Sequence, residues 1–392
     1  MVVPRNVSPH GVARSLMRAL ALAVIGIVMT TPTASAHVRW FVPDANRGLD
    51  RAEVFSGLTL LAFGAIIATV VGGWLFEVVA ARWQLAARAR VLTGPLLDRL
   101  AIGMPRPADV YPWISAVLAL HTAAILFVRG VERQLFVPNM ALPYTLAGGS
   151  LALLEIVVAF SLVGGIAVGA LTRPAAAGLA LVGLLGMVYF GPLLVLEHTY
   201  FFGIAGFLFI AGRGPRTTQR VLRGPGKPAV ALLPYAVPIL RASFGLATLI
   251  TGFTEKLWDR NLSLAFLSEH PFNVTATTPL ALSDANFVIA AGLAEAALGA
   301  LLVAGYWPRL AILAAWVPFN LAVPFLGVQD VLGHLPIYGI ILTILLCGSG
   351  RGFAATLCRE TEADARASAP AEEGRALPQG AAWREPVPVA GD

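Results

Sequence analysis

A small set of ionisable side chains lies within or beside long apolar segments of this chain. An ionised group in the bilayer core is costly unless it pairs with another charge or faces water, so such residues mark functional sites by default. The chemistry that they offer is anion binding, proton transfer and ion pairing. The candidate substrate-binding residues are Glu155, His198, Arg241, Lys256, Glu295, Asp330 and His334.

Five of these residues predict an outward-opening polar pocket in the C-terminal half. We expect Arg241 and Glu295, each within an apolar helix, to form a buried pair because a guanidinium fork matches both carboxylate oxygens. Lys256, Asp330 and His334 lie nearer the predicted mouth. Arginine or lysine could hold an anionic head such as an oxidised sulfur species, and histidine could exchange protons with a quinone carbonyl. A purely structural role in locking the helices together is the alternative.

The N-terminal segment offers a candidate metal ligand. Residues 1–36 combine arginines, an apolar core and a final Ala34-Ser35-Ala36, which is typical of a cleaved secretory signal peptide. Cleavage would make His37 the N-terminal residue, and its amine and imidazole suit Cu(II). Copper or zinc could also involve the two later histidines, but no H-x-x-x-H spacing is present. An uncleaved signal anchor and a metal-free His37 are the alternatives.

The elements that must position these residues are membrane-spanning helices. Hydrophobic residues make up 57% of the sequence and charged residues 13%, whereas soluble domains carry about a quarter charged residues. Several apolar runs reach the length of about 18 residues that a transmembrane helix needs. We predict an all-α fold, a polytopic membrane helical bundle of about nine transmembrane helices, at about 54–80, 111–129, 143–171, 174–192, 199–212, 230–254, 286–305, 308–326 and 332–349.

The basic residues predict the orientation of the chain. Fourteen of them fall in alternate loops and at the start of the tail, against seven in the opposite segments. By the positive-inside rule we expect a bacterial inner (plasma) membrane protein whose mature N-terminus is outside and whose C-terminus is cytoplasmic. Because the positive charge lies in short loops, the expected partner is the lipid bilayer and not nucleic acid. The composition of residues 350–392 predicts a disordered cytoplasmic tail.

An internal repeat predicts two four-helix units. Residues 195–203 and 331–339 share V-L-x-H, followed by an aromatic residue before a glycine. In each half a lone acid, Glu155 or Glu295, lies in an earlier apolar helix. An even number of crossings makes the repeats parallel. The predicted segments are the first unit at 109–213, the second unit at 229–349 and, before both, an outer segment, first transmembrane helix and basic cytoplasmic loop at 37–108.

The string L-R-A-S-F-G-L-A-T-L-I-T-G-F-T-E-K-L-W at 240–258 resembles the first helix of the DoxX/DoxD family of four-helix membrane proteins. That helix carries an Arg, a Gly and a Lys, matched here by Arg241, Gly245 and Lys256. Glu295 matches the acid of the family's next helix, and D-V-L-G-H-L-P-I-Y-G from Asp330 resembles the last helix of larger members. The resemblance is weaker over the first unit, where His121 and Arg133 replace the Arg and the Lys.

This resemblance implies membrane redox work. The family name derives from a small subunit of thiosulfate:quinone oxidoreductase, and other members are linked to redox and sulfur metabolism. It therefore implies a component of, or partner for, a quinone- or sulfur-linked redox system, with quinone as a possible cofactor and an oxidoreductase as a possible partner subunit.

Two other functions remain open from the sequence. A transporter or binding protein for a small anion or metal ion is equally compatible with parallel repeats and charges near the midplane, and a membrane scaffold is the third possibility. The sequence has no haem-attachment or P-loop motif, and Cys347 and Cys358 form no C-x-x-C pair. Any electron chemistry therefore needs a bound quinone or a partner.

Overall fold

The computed structural model describes residues 57–84, 107–212, 229–276, 278–279, 281–326 and 328–368. Within these residues every regular element is a helix, and a single bridge joins Gln134 to Ala141. The predicted all-α class is therefore confirmed. The predicted signal peptide, His37 and the end of the C-terminal tail lie outside the described residues.

Thirteen α-helices occur in the described residues. They are α1 Gly57–Arg82, α2 Pro107–Val131, α3 Leu146–Ala167, α4 Thr172–Phe190, α5 Pro192–Leu196, α6 Tyr200–Ala211, α7 Leu233–Thr251, α8 Arg260–Glu269, α9 Asp284–Ala304, α10 Pro308–Leu326, α11 Val328–Gly333, α12 Leu335–Cys347 and α13 Arg351–Ser368. A π-helical segment, Gly252–Leu257, continues α7.

Six helical stretches of the described chain are long and apolar enough to cross a membrane, which is consistent with a multi-pass membrane protein. They are Gly57–Arg82, Trp113–Val131, Leu146–Ala167, Gly169–Phe190, Val230–Leu257 and Asp284–Ala304. The pair α12–α13 would make a seventh if it is one span, although it bends by 82°.

The nine predicted spans are not confirmed, and helix length is the reason. The helix α6 has 12 residues and covers about 18 Å, whereas the hydrocarbon core is about 30 Å thick.

The helices pack in two groups that meet along two seams. In the first group α3 packs on α2, α4 on α3 and α6 on α4; in the second, α9 packs on α7, α10 on α9 and α12 on α10. The seams join α6 to α7 and α12 to α2. Glycines allow close approach there, since Gly203 faces Leu240 while Gly339 faces Leu118 and His121.

The two ends of the bundle differ in charge. We call one the acidic end because Glu132, Glu197 and Glu255 lie there; it comprises the described helix ends and loops at 129–146, 190–200, 252–276, 281–284 and 328–335. The opposite end, which we call the basic end, comprises those at 107–111, 167–173, 209–212, 229–233, 304–309 and 346–353.

The first helix lies on the side of the second group. Gly73 of α1 faces Leu301 and Tyr306, and the Phe76 ring meets the Trp307 ring edge-on with centroids 4.2 Å apart. Much of the rest of α1 is exposed, which suits contact with lipid. Its large exposed apolar side chains include Leu60, Leu61, Ile67, Val71 and Leu75.

The prediction of a disordered tail from residue 350 is wrong for Arg351–Ser368, which form α13. Phe353, Ala354 and Leu357 are buried, and their spacing places them on one helical face. The Phe353 ring packs edge-on against Tyr111 with centroids 5.7 Å apart. Residues 351–368 contain few apolar side chains, and the sequence prediction overlooked that three of them lie on one helical face.

Candidate functional site

An ion pair between Lys256 and Glu295 lies at the acidic end, between the end of α7 and α9. The Lys256 Nζ is 2.9 Å from the Glu295 Oε2, and the two side chains are 15% and 31% exposed. Each charge offsets part of the other's desolvation cost. Because the pair is only partly covered, a ligand can approach both groups.

The π-helical segment and two glycines position Lys256. A Cβ added to Gly252 would lie 3.0 Å from the Gly292 carbonyl oxygen, and one added to Gly292 would lie 2.9 Å from the Lys256 Cβ. The two backbones therefore approach closely, which lets the lysine amine reach Glu295 on the neighbouring helix. π-Helical turns occur frequently at functional sites.

The predicted pair between Arg241 and Glu295 is wrong. Arg241 lies instead at the basic end, where a Cβ added to Gly305 would be 2.6 Å from the Arg241 Nη2. Glu295 is about 15 Å further along α9, at about 1.5 Å per residue, which is too far for an ion pair. Because α7 and α9 are antiparallel, Lys256 at the far end of α7 reaches Glu295.

Two further carboxylates act on Lys256. Glu255 Oε2 is 3.9 Å from the Lys256 Nζ, and Glu197, between α5 and α6, is close enough to interact with it electrostatically. Glu197 comes from the first half of the chain and Lys256 from the second, so both halves contribute to this site. The site therefore contains one ammonium with two carboxyl groups within 4 Å, Glu295 and Glu255, and a third acid, Glu197, further away.

Aromatic rings line the chain beside this pair. The Phe253 ring lies 5.1 Å from that of Trp258 and 5.5 Å from that of Phe63 in α1, between centroids. The Trp258 Nε1 donates a hydrogen bond to the Thr59 Oγ1 at 3.1 Å. These aromatic contacts join the segment that carries Lys256 to α1.

The corresponding acid of the first half, Glu155, is sealed. Its side chain is 0% exposed; Oε1 accepts a hydrogen bond from the Phe136 N–H at 2.9 Å, and Oε2 has no hydrogen-bond partner among the described residues. Arg129 interacts with Glu155 electrostatically. However, the Arg129 Nη1 donates to Glu132 at 2.6 Å and to Gln134 at 2.9 Å.

The loop between α2 and α3 folds inward and closes over Glu155. The Leu142 N–H donates to the Arg133 carbonyl at 2.7 Å, so the loop turns back on itself. Arg133 and Phe136 have φ values of 57° and 59°, which non-glycine residues adopt uncommonly. The Phe136 ring stacks on Phe201 with centroids 4.3 Å apart. The buried side chains of this loop are Leu135, Phe136, Val137, Met140 and Leu142.

The histidines His198 and His334 hold matching places, each immediately before the last helix of its group. Both are buried, and each meets a tyrosine ring edge-on: His198 with Tyr200 at 5.9 Å and His334 with Tyr338 at 6.4 Å. We predicted that His334 lies near an open mouth, and this is wrong, because His334 is only 4% exposed.

The metal predictions gain no support. Among the residues that the structure describes, no three His, Cys, Asp or Glu side chains converge to hold a metal ion. The predicted ligand His37 lies outside those residues, as does the side chain of Asp330, whose backbone belongs to α11.

Four residues at the acidic end, Glu197, Glu255, Arg129 and Tyr200, were not among the predicted binding residues. Glu197 and Glu255 stand next to the chosen His198 and Lys256, and their adjacency was the available signal. The sequence indicated Arg129 and Tyr200 less clearly. Each lies at the end of an apolar segment, where a polar residue usually marks only the helix boundary.

No protein family, no curated protein and no solved structure matches this chain.

Proposed function

We propose that this DoxX-like membrane protein is a component of, or partner for, a quinone-linked redox system and that the Lys256–Glu295 site binds the quinone head. The partly open ion pair beside Phe253 and Trp258 carries this proposal. A quinone head is a flat ring with two carbonyl oxygens, so its site needs a hydrogen-bond donor and an apolar wall. Lys256 supplies the donor, and we assign the wall to Trp258, which is two residues from Lys256 in the chain and only partly buried.

The residues of this site would bind the head and move protons. A bound quinone supplies two-electron chemistry, with the two electrons coming from an oxidoreductase partner and two protons being taken up. Lys256 orients one carbonyl oxygen through its ammonium. Glu295, Glu255 and Glu197 pass protons between water and that oxygen, which is general acid–base work suited to carboxyl groups.

We place the acidic end outside a bacterial inner membrane and the C-terminus in the cytoplasm, because the basic loops favour the inner side. We further propose nine spans, with the shorter helices α6, α10 and α12 completing two parallel four-helix units. Two matched details support the repeat. Arg173 and Arg309 each donate to a helix carbonyl 36 residues later, and Gly212 and Gly348 end α6 and α12 with φ values of 65° and 58°.

Transport or binding of a small anion or metal ion remains the alternative. Binding of a small anion at the Lys256 site is disfavoured, because the acidic side chains near Lys256 outnumber its single ammonium and would repel an anion. Saturable uptake of an anion such as thiosulfate into vesicles, independent of quinone, would favour the alternative.

Quinone content tests the proposal. The sequence contains two lysines, Lys227 and Lys256, so Lys227→Met is a control with the same chemical change. We expect the protein purified in mild detergent to carry quinone, measured by solvent extraction and mass spectrometry. Lys256→Met and Glu295→Gln should lower that content about tenfold, as expected for loss of a charge-assisted hydrogen bond.

The same preparation has two further outcomes. Equal quinone in wild type and Lys256→Met, or a wild type that neither carries nor takes up quinone, would contradict the proposal. Intact mass that begins at His37 would establish signal cleavage, and a longer mass would exclude it.

A further inference from the structure

We infer that Arg241 and the turn between α9 and α10 form a binding site for a phosphate-bearing anion at the basic end. This site lies at the opposite end of α7 from Lys256. It does not depend on the proposed quinone function.

Charge balance is the first argument. The Arg241 Nε is buried and has no hydrogen-bond partner among the described residues. The sequence contains no Asp or Glu in residues 213–240, which precede Arg241, or in residues 296–312, which contain the Gly305 turn. A membrane arginine without a counter-charge is costly, so an anion from outside the chain would complete the site.

The geometry of Gly305 is the second argument. A Cβ at this position would lie 2.6 Å, 2.7 Å and 2.8 Å from the Arg241 Nη2, Nη1 and Cζ, and the glycine φ of 86° disfavours any larger residue. The guanidinium therefore lies directly on the backbone at the end of α9. The carbonyl end of a helix attracts a cation, which explains the placement, and the planar fork matches two phosphate oxygens.

The surroundings favour a phospholipid as the source of the phosphate. Tyr306 and Trp307 follow Gly305, and such residues concentrate at the membrane–water interface. Val303 and Leu310, on either side of the turn, are 42% and 58% exposed, so acyl chains have an apolar surface beside the arginine. Anionic lipids are also the expected partners of basic residues at a cytoplasmic leaflet.

Arg309 supplies a matched control. It lies four residues beyond Gly305, but its Nε donates to the Leu345 carbonyl at 2.8 Å and its Nη2 to the Leu346 carbonyl at 3.0 Å. Backbone carbonyls therefore already occupy two of its five N–H donors. Loss of its charge should change anion binding much less than loss of the Arg241 charge.

The test is native mass spectrometry of the full-length protein with phosphatidylglycerol and, separately, phosphatidylcholine. We expect preferential binding of phosphatidylglycerol by the wild type. Arg241→Gln should weaken it about tenfold or more, as expected for a charge-assisted pair, and Arg309→Gln should change it less than about twofold. Arg241→Lys, which keeps the charge, should retain part of the binding and covers the case in which Arg241→Gln fails to fold.

Competition with inorganic phosphate identifies the source. Phosphatidylglycerol that resists excess phosphate establishes a lipid site, whereas displacement establishes a site for soluble phosphate. Equal binding of both lipids by the wild type together with no binding of phosphate would overturn the inference. Unchanged lipid binding by Arg241→Gln would overturn it as well. Quinone content should stay unchanged in this variant, so the outcome is separate from the proposed function.

Discussion

The two halves of the bundle place an acid at the same end but treat it differently. Glu155 of the first half is fully buried and bonded to the Phe136 N–H under an inward-folded loop. Glu295 of the second half is 31% exposed and paired with Lys256. A similar residue pattern therefore forms a sealed polar core in the first half and a partly open site in the second half. The segment that follows the first helix of each group decides which one results.

Those two segments have different geometries. In the first half the chain turns back after Arg129, and its loop buries five apolar side chains over the acid. In the second half the π-helical segment Gly252–Leu257 extends α7 and is followed by α8. We infer that the first half contributes stability and the second half contributes binding, and the predictions below test that division.

The largest expected effect is in the sealed half. Arg129→Met would leave Glu132 and Glu155 without their cation, so we expect the free energy of unfolding to fall by about 3–5 kcal/mol, typical of a broken buried pair. SDS titration in mixed micelles measures this. Arg133→Met is the control, because the Arg133 guanidinium is an exposed donor to the Pro143 carbonyl. An equal loss in both variants would show that the buried ion pair of Arg129 is no more important for stability than Arg133.

Removal of the sealed acid should have the next largest effect. Glu155→Ala leaves the Phe136 N–H without its acceptor and opens a cavity, so we expect a loss of about 2–4 kcal/mol in the free energy of unfolding. Glu155→Gln keeps an acceptor oxygen at nearly the same place and should cost less than about 1 kcal/mol. Thermal unfolding of the pair of variants checks this, and similar losses would show that the hydrogen bond is unimportant.

A smaller effect is expected where α7 crosses α9. Gly252→Ala would place a Cβ 3.0 Å from the Gly292 carbonyl oxygen, and we expect a loss of about 1–3 kcal/mol from overpacking. Because Lys256 would shift, quinone content should fall too. Gly64→Ala in α1, where nothing lies within 4 Å of the added atom, is the control and should leave both unchanged. Retained quinone in Gly252→Ala would show that the close crossing does not position Lys256.

The smallest effect on stability is expected in the open half. Glu295→Gln breaks a partly exposed ion pair, so the free energy of unfolding should fall by about 1 kcal/mol or less even though quinone content falls. A loss as large as that of Arg129→Met would remove the division between a stabilising and a binding half.

Local patterns predicted the helices but not the depth at which their side chains meet. The boundaries of α9 and α10 agree with prediction to within two residues, because apolar length and Gly or Pro punctuation define them. The predicted pair Arg241–Glu295 was wrong because the sequence does not show where α7 and α9 cross. Without that crossing point, it does not show which residues of the two helices lie at the same depth in the membrane. Lys256 itself was correctly chosen as a site candidate, but its partner depends on an antiparallel crossing at Gly252 and Gly292.

Three other features lacked a clear sequence signal for a physical reason. The loop from Glu132 to Thr145 buries five apolar side chains through its backbone turns and the stacking of Phe136 on Phe201, and that stacking is a tertiary interaction. α13 has few apolar residues, and its stripe is visible only at helical periodicity. The α5–α6 break at Glu197 brings that acid to Lys256, and no local pattern specifies such a long-range approach.

Lysine labelling with quinone protection tests the central claim most directly. A membrane-impermeant amine reagent is applied to intact cells without an outer barrier and, separately, to inverted vesicles, and the modified lysine is identified by peptide mass spectrometry. We expect Lys256 to be labelled only from outside and Lys227 only from the cytoplasmic side, with a short-chain quinone protecting Lys256 alone. Labelling of Lys256 from the cytoplasmic side, or labelling that added quinone leaves unchanged, would contradict an outward-facing quinone site at Lys256 and Glu295.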